Sequence, residues 1–215
     1  MRTIDELRGK YRGQDIWIIG SGATAGHVDP DFFTGKITIG INHVHRRFRT
    51  TYLIGKDGPD FITEASTTGI PLIVSEFAYA MREQGKNDAS DAYYFQHIEH
   101  GQPDIFDVIG TGDKTLVTWS TLGSALHIAC EMGAANIILV GCDCGTLDGT
   151  FHFPGYSEAQ SQAQRWSYRK FLNATARDVV LARDALQKHY GVRIYSLNPF
   201  VNLNLEGHKF EGPVI

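Results

Sequence analysis

Apolar residues along this chain fall into short, nearly continuous blocks, most of them closed by glycine, asparagine or aspartate. Residues 16–19 (IWII), 37–42 (ITIGIN), 51–57 (TYLIGKD), 70–74 (IPLIV) and 136–140 (NIILV) read as strands buried on both faces. Residues 192–197 read as a last strand, and 93–95 and 116–119 as shorter ones. Between them the spacing turns helical. Residues 121–132 place Leu122, Ala125, Leu126 and Ala129 on one face, and Gly133 stops them. Residues 3–12 predict a short N-terminal helix with Thr3 as cap and Glu6 three positions on. Residues 29–33 predict a helical turn. Ser157 opens a long helical stretch that is too polar for core up to Trp166. From about Thr175 to His189, with Val179, Val180, Leu181 and Leu186, it should pack on the sheet. The pattern is least regular over 77–113, where 101–112 reads as loop. Alternating strands and helices predict an α/β fold: a mostly parallel sheet with helices on both faces. The expected organisation is one domain over 1–215 with a small lid around 145–170.

In a parallel sheet the carboxyl ends of the strands share one edge, where ligands bind. Here the strand ends carry polar groups: the turn Gly20-Ser21-Gly22, then Asn42, Asp57, Asp143 and Asn198, with His152 in the turn-rich loop beyond Asp143. Glycines allow φ > 0 and close approach of backbone to a ligand, so backbone N–H groups of the 20–22 turn are expected to hold a phosphate. On that reading Gly22→Val abolishes nucleotide binding and leaves the protein folded. Each residue also has a structural reading. Asn42, Asn198 and Asp143 could cap helices, and a histidine in a loop is commonly solvated. Their shared edge is what makes them a candidate site.

Composition narrows the class. Hydrophobic residues at 42% and charged residues at 20% are ordinary for a globular protein. A net charge of −4, with the basic stretch 43–49 as the one local concentration of positive charge, argues against coating nucleic acid. No apolar run approaches the roughly 20 residues of a membrane helix. The polar start MRTIDELRGKYRGQ has no signal-peptide pattern. Cys130, Cys142 and Cys144 lack a second pair for a zinc site, so reduced cysteines, no structural metal and a cytoplasmic protein are expected. A homo-oligomer is compatible with the chain.

Three segments resemble a Rossmann-like family that joins the bacterial lipooligosaccharide sialyltransferases to the MptE-like proteins, which are similar to 6-hydroxymethylpterin pyrophosphokinase. They are IIGSGATAG, TLGSALHIACEMGAANIILVGCD and ALQKHYGVRIYSLNP, in the family's order. The resemblance implies nucleotide contacts from Gly20, Ser21, Gly22 and Asn42, and from Thr121, Gly123 and Ser124. It implies Asp57 as the aspartate that ends the third strand in MptE-like members. It also implies catalytic roles for His152, as general base on an acceptor hydroxyl, and for Asp143. The chain departs from the family at Ala23-Thr24, where Pro-Ser is usual. It departs again after Asp143, where the family's phosphate-steadying tyrosines have no match and Tyr156 and Tyr168 stand nearest.

The function expected from these features is a nucleotide-binding transferase, sialyltransferase-like, moving a sugar from a nucleotide donor without a metal. One alternative is Mg²⁺-dependent pyrophosphoryl transfer with Asp57 and Asp143 as oxygen ligands. Another is a nucleotide-binding module without catalysis.

Overall fold

The structure, a computed structural model, describes residues 2–56, 59–85, 91–96, 109, 114–115, 120–156, 165–197 and 207–212. Eight strands form one sheet: β1 (Arg2–Thr3), β2 (Asp15–Ile19), β3 (Ile37–Ile41), β4 (Tyr52–Gly55), β5 (Leu72–Ser75), β6 (Tyr93–Phe95), β7 (Asn136–Val140) and, past a short β8 (Thr146–Leu147), β9 (Arg193–Ser196). Their order is β1-β6-β5-β4-β3-β2-β7-β9, and every pair is parallel. A separate antiparallel pair joins β8 to β10 (Phe210–Glu211). The chain winds outward from β2 to β6, returns, and continues as β7 on the other side of β2. The carboxyl ends of β2 and β7 therefore sit where the winding reverses, and such a switch point leaves a crevice.

The side chains of β2 alternate between two cores, as strand geometry requires. Ile16 and Ile18 join a core with α3 (Thr121–Glu131) and α4 (Arg165–Tyr190), through Leu122, Ala125, Leu126, Val179, Ala182 and Leu186. Trp17 and Ile19 face the other side, where Phe33, Val44, Phe48, Phe153 and Tyr156 pack. Farther along that face, Leu53, Leu72 and Val74 meet α1 (Pro59–Ser66) and α2 (Glu76–Glu83) through Phe61, Ile62, Ala65 and Ala78. The α/β fold with helices on both faces is thus as the pattern implied. No helix among the described residues is long and apolar enough to cross a membrane.

Several elements differ from expectation. Residues 3–12 are not an α-helix. Arg2–Thr3 is an edge strand, Ile4–Leu7 a 3-10 turn, and Gly9 and Gly13 take φ of +68° and +77°. The reason lies in α3. Its terminal carbonyls need partners, and Glu131, Met132 and Gly133 receive the N–H groups of Gly9, Tyr11 and Gly13 at 2.8, 2.8 and 3.0 Å. A regular helix over 3–12 would have kept the Gly9 and Tyr11 N–H groups for itself. The Glu6 carboxylate does reach back to the Thr3 N–H, at 3.3 Å. The third strand stops at Gly55, and the β8–β10 pair has no counterpart in the sequence reading. Asp57, Asn198 and the strand expected at 116–119 lie outside the described residues. So does most of the 101–112 loop, and so do residues 157–164 of the expected lid.

His127 locks α3 to α4. It is buried, with Nε2 2.9 Å from the Tyr190 hydroxyl and 3.8 Å from Glu131. Burial pushes its pKa down from 6.5 to about 4. The folded protein therefore takes up this proton later than the unfolded chain, so stability falls as pH drops from 6.5 toward 4. The loss from this residue is on the order of a few kcal/mol. Urea midpoints at pH 7 and pH 4.5 should fall less in His127→Gln than in the wild type, and an equal fall would remove His127 as a cause.

Candidate active site

The turn after β2 is shaped by the turn after β7. Gly20 N–H donates to the Val140 carbonyl at 2.8 Å and Gly22 N–H to the Gly141 carbonyl at 2.7 Å. Neither Gly20 nor Gly22 has positive φ; Gly141, across from them, does, at +63°. Close approach is what requires glycine here. A Cβ on Gly20 would stand 2.5 Å from the Gly141 carbonyl oxygen, and one on Gly22 would stand 2.6 Å from the same atom and against the Asp143 carboxyl. Two expectations are corrected by this. The Gly20 and Gly22 N–H groups are spent on β7 and its turn, not offered to a phosphate. Gly22→Val would strike backbone, so it would not leave the fold intact.

Asp143 is 3% exposed and lies beneath the same turn. Its Oδ2 accepts from the Thr24 N–H at 2.8 Å, and its Oδ1 from the Thr24 hydroxyl. It caps the 3-10 turn Ala23–His27 from the turn after the neighbouring strand β7. Thr24, read as a departure from the family's pattern, is its partner.

The His152 loop folds back over this point. Gly22 and His152 form an antiparallel bridge, and the Phe153 N–H donates to the Ser21 carbonyl at 3.1 Å. His152, 7% exposed, brings Nδ1 to 3.0 Å from Ser21 Oγ. Its ring stacks on Tyr156 with centroids 4.6 Å apart. Burial lowers the His152 pKa below 6.5 against the opposing hydrogen bond to the Ser21 backbone. The ring is therefore neutral at neutral pH. Burial raises the Tyr156 pKa, while the adjacent Ser21 and Asn42 side chains and His43 backbone N–H pull the other way. Asn42 holds φ at +53°, a conformation asparagine tolerates better than most residues.

These groups line a cleft of about 350 Å³. Gly20, Ser21, Gly22, Asn42, Asp143, His152 and Thr121 all border it. Gly123 and Ser124 do not: they are buried in the first turns of α3. Residues not singled out by sequence complete the walls. Lys56 enters after β4, and Phe171, Leu172 and Thr175 enter from α4. Thr175 stands four positions after Phe171 and three after Leu172, which puts it on one helical face with each of them, a signal hidden in a stretch that otherwise reads as polar. Tyr156, one of two stand-in tyrosines, borders the cleft; the Tyr168 side chain lies outside the described residues.

Outside the cleft wall, Glu64 gathers Arg46, His43 and His45. Arg46 Nε lies 2.7 Å from Oε1 and Nη2 2.5 Å from Oε2. His45 Nε2 lies 2.9 Å from Oε1 and His43 Nδ1 3.1 Å from Oε2. His43, His45 and Glu64 are close enough together to share a cation. The carboxylate is already neutralised by Arg46, however, whose hydrogen bonds pull its pKa down to about 2. Arg46 also donates to the Tyr156 carbonyl. The cluster braces the loop that carries His152.

No protein-family model matches the chain, and no curated protein matches it. Solved structures do. The sialyltransferase CstII from Campylobacter jejuni, in complex with the substrate analogue CMP-3FNeuAc, aligns over 89% of this chain and 83% of that one, at TM-score 0.51 and 15% identity. An α-2,3-sialyltransferase from Campylobacter jejuni in apo form aligns over 99% and 90%, at TM-score 0.51 and 15% identity. The monofunctional α-2,3-sialyltransferase Cst-I from the same organism aligns over 94% and 85%, at TM-score 0.50 and 15% identity. The similarity is one of fold.

If Asp143 is chiefly a cap, Asp143→Ala leaves the Thr24 N–H buried without an acceptor. It should then lower stability by about 1–3 kcal/mol in chemical denaturation. Unchanged stability would return Asp143 to a purely functional role.

Proposed function

We propose that the protein is a nucleotide-binding transferase that moves a sugar, in the manner of a sialyltransferase, from a nucleotide-activated donor to an acceptor hydroxyl. The supporting observation is His152: a buried, neutral imidazole hydrogen-bonded to the β2 turn at the switch-point cleft. In the proposed step the acceptor oxygen bonds to the anomeric carbon and its proton passes to His152. The bond from that carbon to the phosphate oxygen breaks, and the nucleoside phosphate leaves with the electron pair. Since the Gly20 and Gly22 N–H groups are engaged, the leaving charge falls to other groups. The first turn of α3 at Thr121, the Tyr156 hydroxyl and Lys56 border the cleft, and a helix N-terminus favours a phosphate. Neither a metal nor a cofactor enters this step. The segment around 145–170, including His152, would act as the lid.

The Mg²⁺-dependent pyrophosphokinase alternative needs free carboxylates, and Asp143 has both oxygens committed to Thr24. A thermal-shift screen of CMP, CDP, UDP, GDP and ATP with and without Mg²⁺ separates the readings, because a ligand of the native state raises the midpoint. Stabilisation by CMP without Mg²⁺ is expected; stabilisation by ATP only with Mg²⁺ would favour the alternative.

With a donor in hand, His152→Ala should lower turnover by roughly 10²–10⁴-fold with donor affinity nearly unchanged. Retained turnover with weakened donor binding would make His152 a binding contact. In the wild type, activity should hold through neutral pH and fall on an acid limb below pH 6.5, as His152 becomes protonated. An acid limb that survives in His152→Ala would assign it to another group.

A further inference from the structure

We propose that His43, His45 and Glu64 form a binding site for a divalent transition-metal ion of the Zn²⁺ type, set outside the cleft wall and apart from the transfer step. Two imidazole nitrogens and one carboxylate are a donor set that suits Zn²⁺. Mg²⁺ and Ca²⁺ take oxygen ligands instead. The donors already converge. One ligand atom from each of the three residues lies within 4.8 Å of the other two. His43 Nδ1 is 3.1 Å from Glu64 Oε2, and His45 Nε2 is 2.9 Å from Oε1. Ligands about 2.0–2.2 Å from a tetrahedral ion stand about 3.3–3.6 Å from one another, so small shifts admit one.

A second observation singles out the cluster. His43 Nδ1 is buried and, for all its closeness to Oε2, makes no hydrogen bond. A buried polar atom without a partner calls for one, and a nitrogen held beside a carboxylate without sharing a proton can share a cation with it. The site is open to an ion from outside. The His43 and Glu64 side chains are 23% and 36% exposed, and His45 at 6% forms the floor. Phe61 packs against both imidazole rings. Arg46 lowers the affinity but does not close the site. Its guanidinium takes one lone pair on each Glu64 oxygen, and a carboxylate offers about four. An ionised carboxylate only accepts, so His45 now donates to it from Nε2. On metal binding that proton moves to Nδ1 and the Nε2 lone pair passes to the ion. The ion would tie the turn after β3 to α1, beside the Arg46 contact with the Tyr156 carbonyl.

The test uses the full-length, untagged protein, stripped of metal with a chelator and dialysed. No nucleotide is present, so the outcome does not depend on the transferase reading. Zn²⁺ is titrated calorimetrically, and Co²⁺ serves as the spectroscopic probe. One Zn²⁺ should bind per chain and raise the thermal midpoint. Co²⁺ should give the visible absorption of a four-coordinate site, and Zn²⁺ should bleach it. His43→Gln and His45→Gln should each weaken Zn²⁺ binding by roughly 10-fold or more. His208→Gln should leave it unchanged; this variant probes the rival surface group of His27, His208 and Asp148. Absence of Zn²⁺ binding in the wild type overturns the proposal. So does binding that survives both His43→Gln and His45→Gln, and so does binding that is lost in His208→Gln. Should the buried His45 not tolerate replacement, the partly exposed His43 decides through His43→Gln.

Discussion

The contact on which the rest of this structure depends is the meeting of two turns, one after β2 and one after β7. Three glycines let their backbones touch: Gly20 and Gly22 on one side, Gly141 on the other. Asp143 seals the contact by capping the 3-10 turn that starts at Ala23. In many parallel folds the first glycine turn is left open for a phosphate. Here it is closed against its neighbour strand, and its outer side is presented to the His152 loop. Ser21 is the residue left facing outward, between a buried clasp and a cleft.

That arrangement changes which atoms can do chemistry. With the Gly20 and Gly22 N–H groups and the Asp143 carboxylate consumed by structure, what remains among the described polar lining residues is hydroxyls, an amide, two buried thiols, a neutral imidazole and one lysine. Asp143 is the one carboxylate among the described lining residues, and it is tied to Thr24. A site of this make-up is suited to moving a proton at His152 and to meeting an anion at Lys56 and the start of α3. It is less suited to gathering a hard cation, which wants several free carboxylate oxygens.

The sheet was legible because buried parallel strands leave continuous apolar blocks, and β2, β3 and β7 match theirs to within a residue. The switch point followed from strand ends that carry Ser21, Asn42 and Asp143. What sequence could not show was competition for the same hydrogen-bonding groups. Gly20 and Gly22 look like phosphate glycines until the carbonyls of Val140 and Gly141 are found opposite them. Residues 3–12 look helical until the open end of α3 claims the N–H groups of Gly9 and Tyr11. Phe171 and Thr175 look like surface until the helix is turned to show which face meets the cleft. In the first two cases a local preference yields to a partner more than a hundred residues away, and a single sequence does not announce such partners.

The brace at Glu64 bears on how acid would act on this site. Arg46 ties Glu64 to the carbonyl of Tyr156, and Tyr156 supports the His152 ring. A failure of the brace and a protonation of His152 could both disable the cleft, but they belong to different pH ranges. Glu64 has a folded pKa of about 2 against an ordinary 4.5. A carboxylate depressed in this way stabilises the fold above its unfolded pKa, and that contribution is lost only as pH falls from 4.5 toward 2. His152, also depressed but starting from 6.5, is protonated somewhere below that value. Between pH 6.5 and 4.5 the brace is intact, so a change in the cleft over that interval reports on histidine. His43 sits on the brace with a lowered pKa of its own, caused chiefly by burial and then by Arg46. Its protonation would add a positive charge beside Arg46 and Glu64, outside the cleft wall. A response carried by His43 would survive removal of the His152 ring, and one carried by His152 would not.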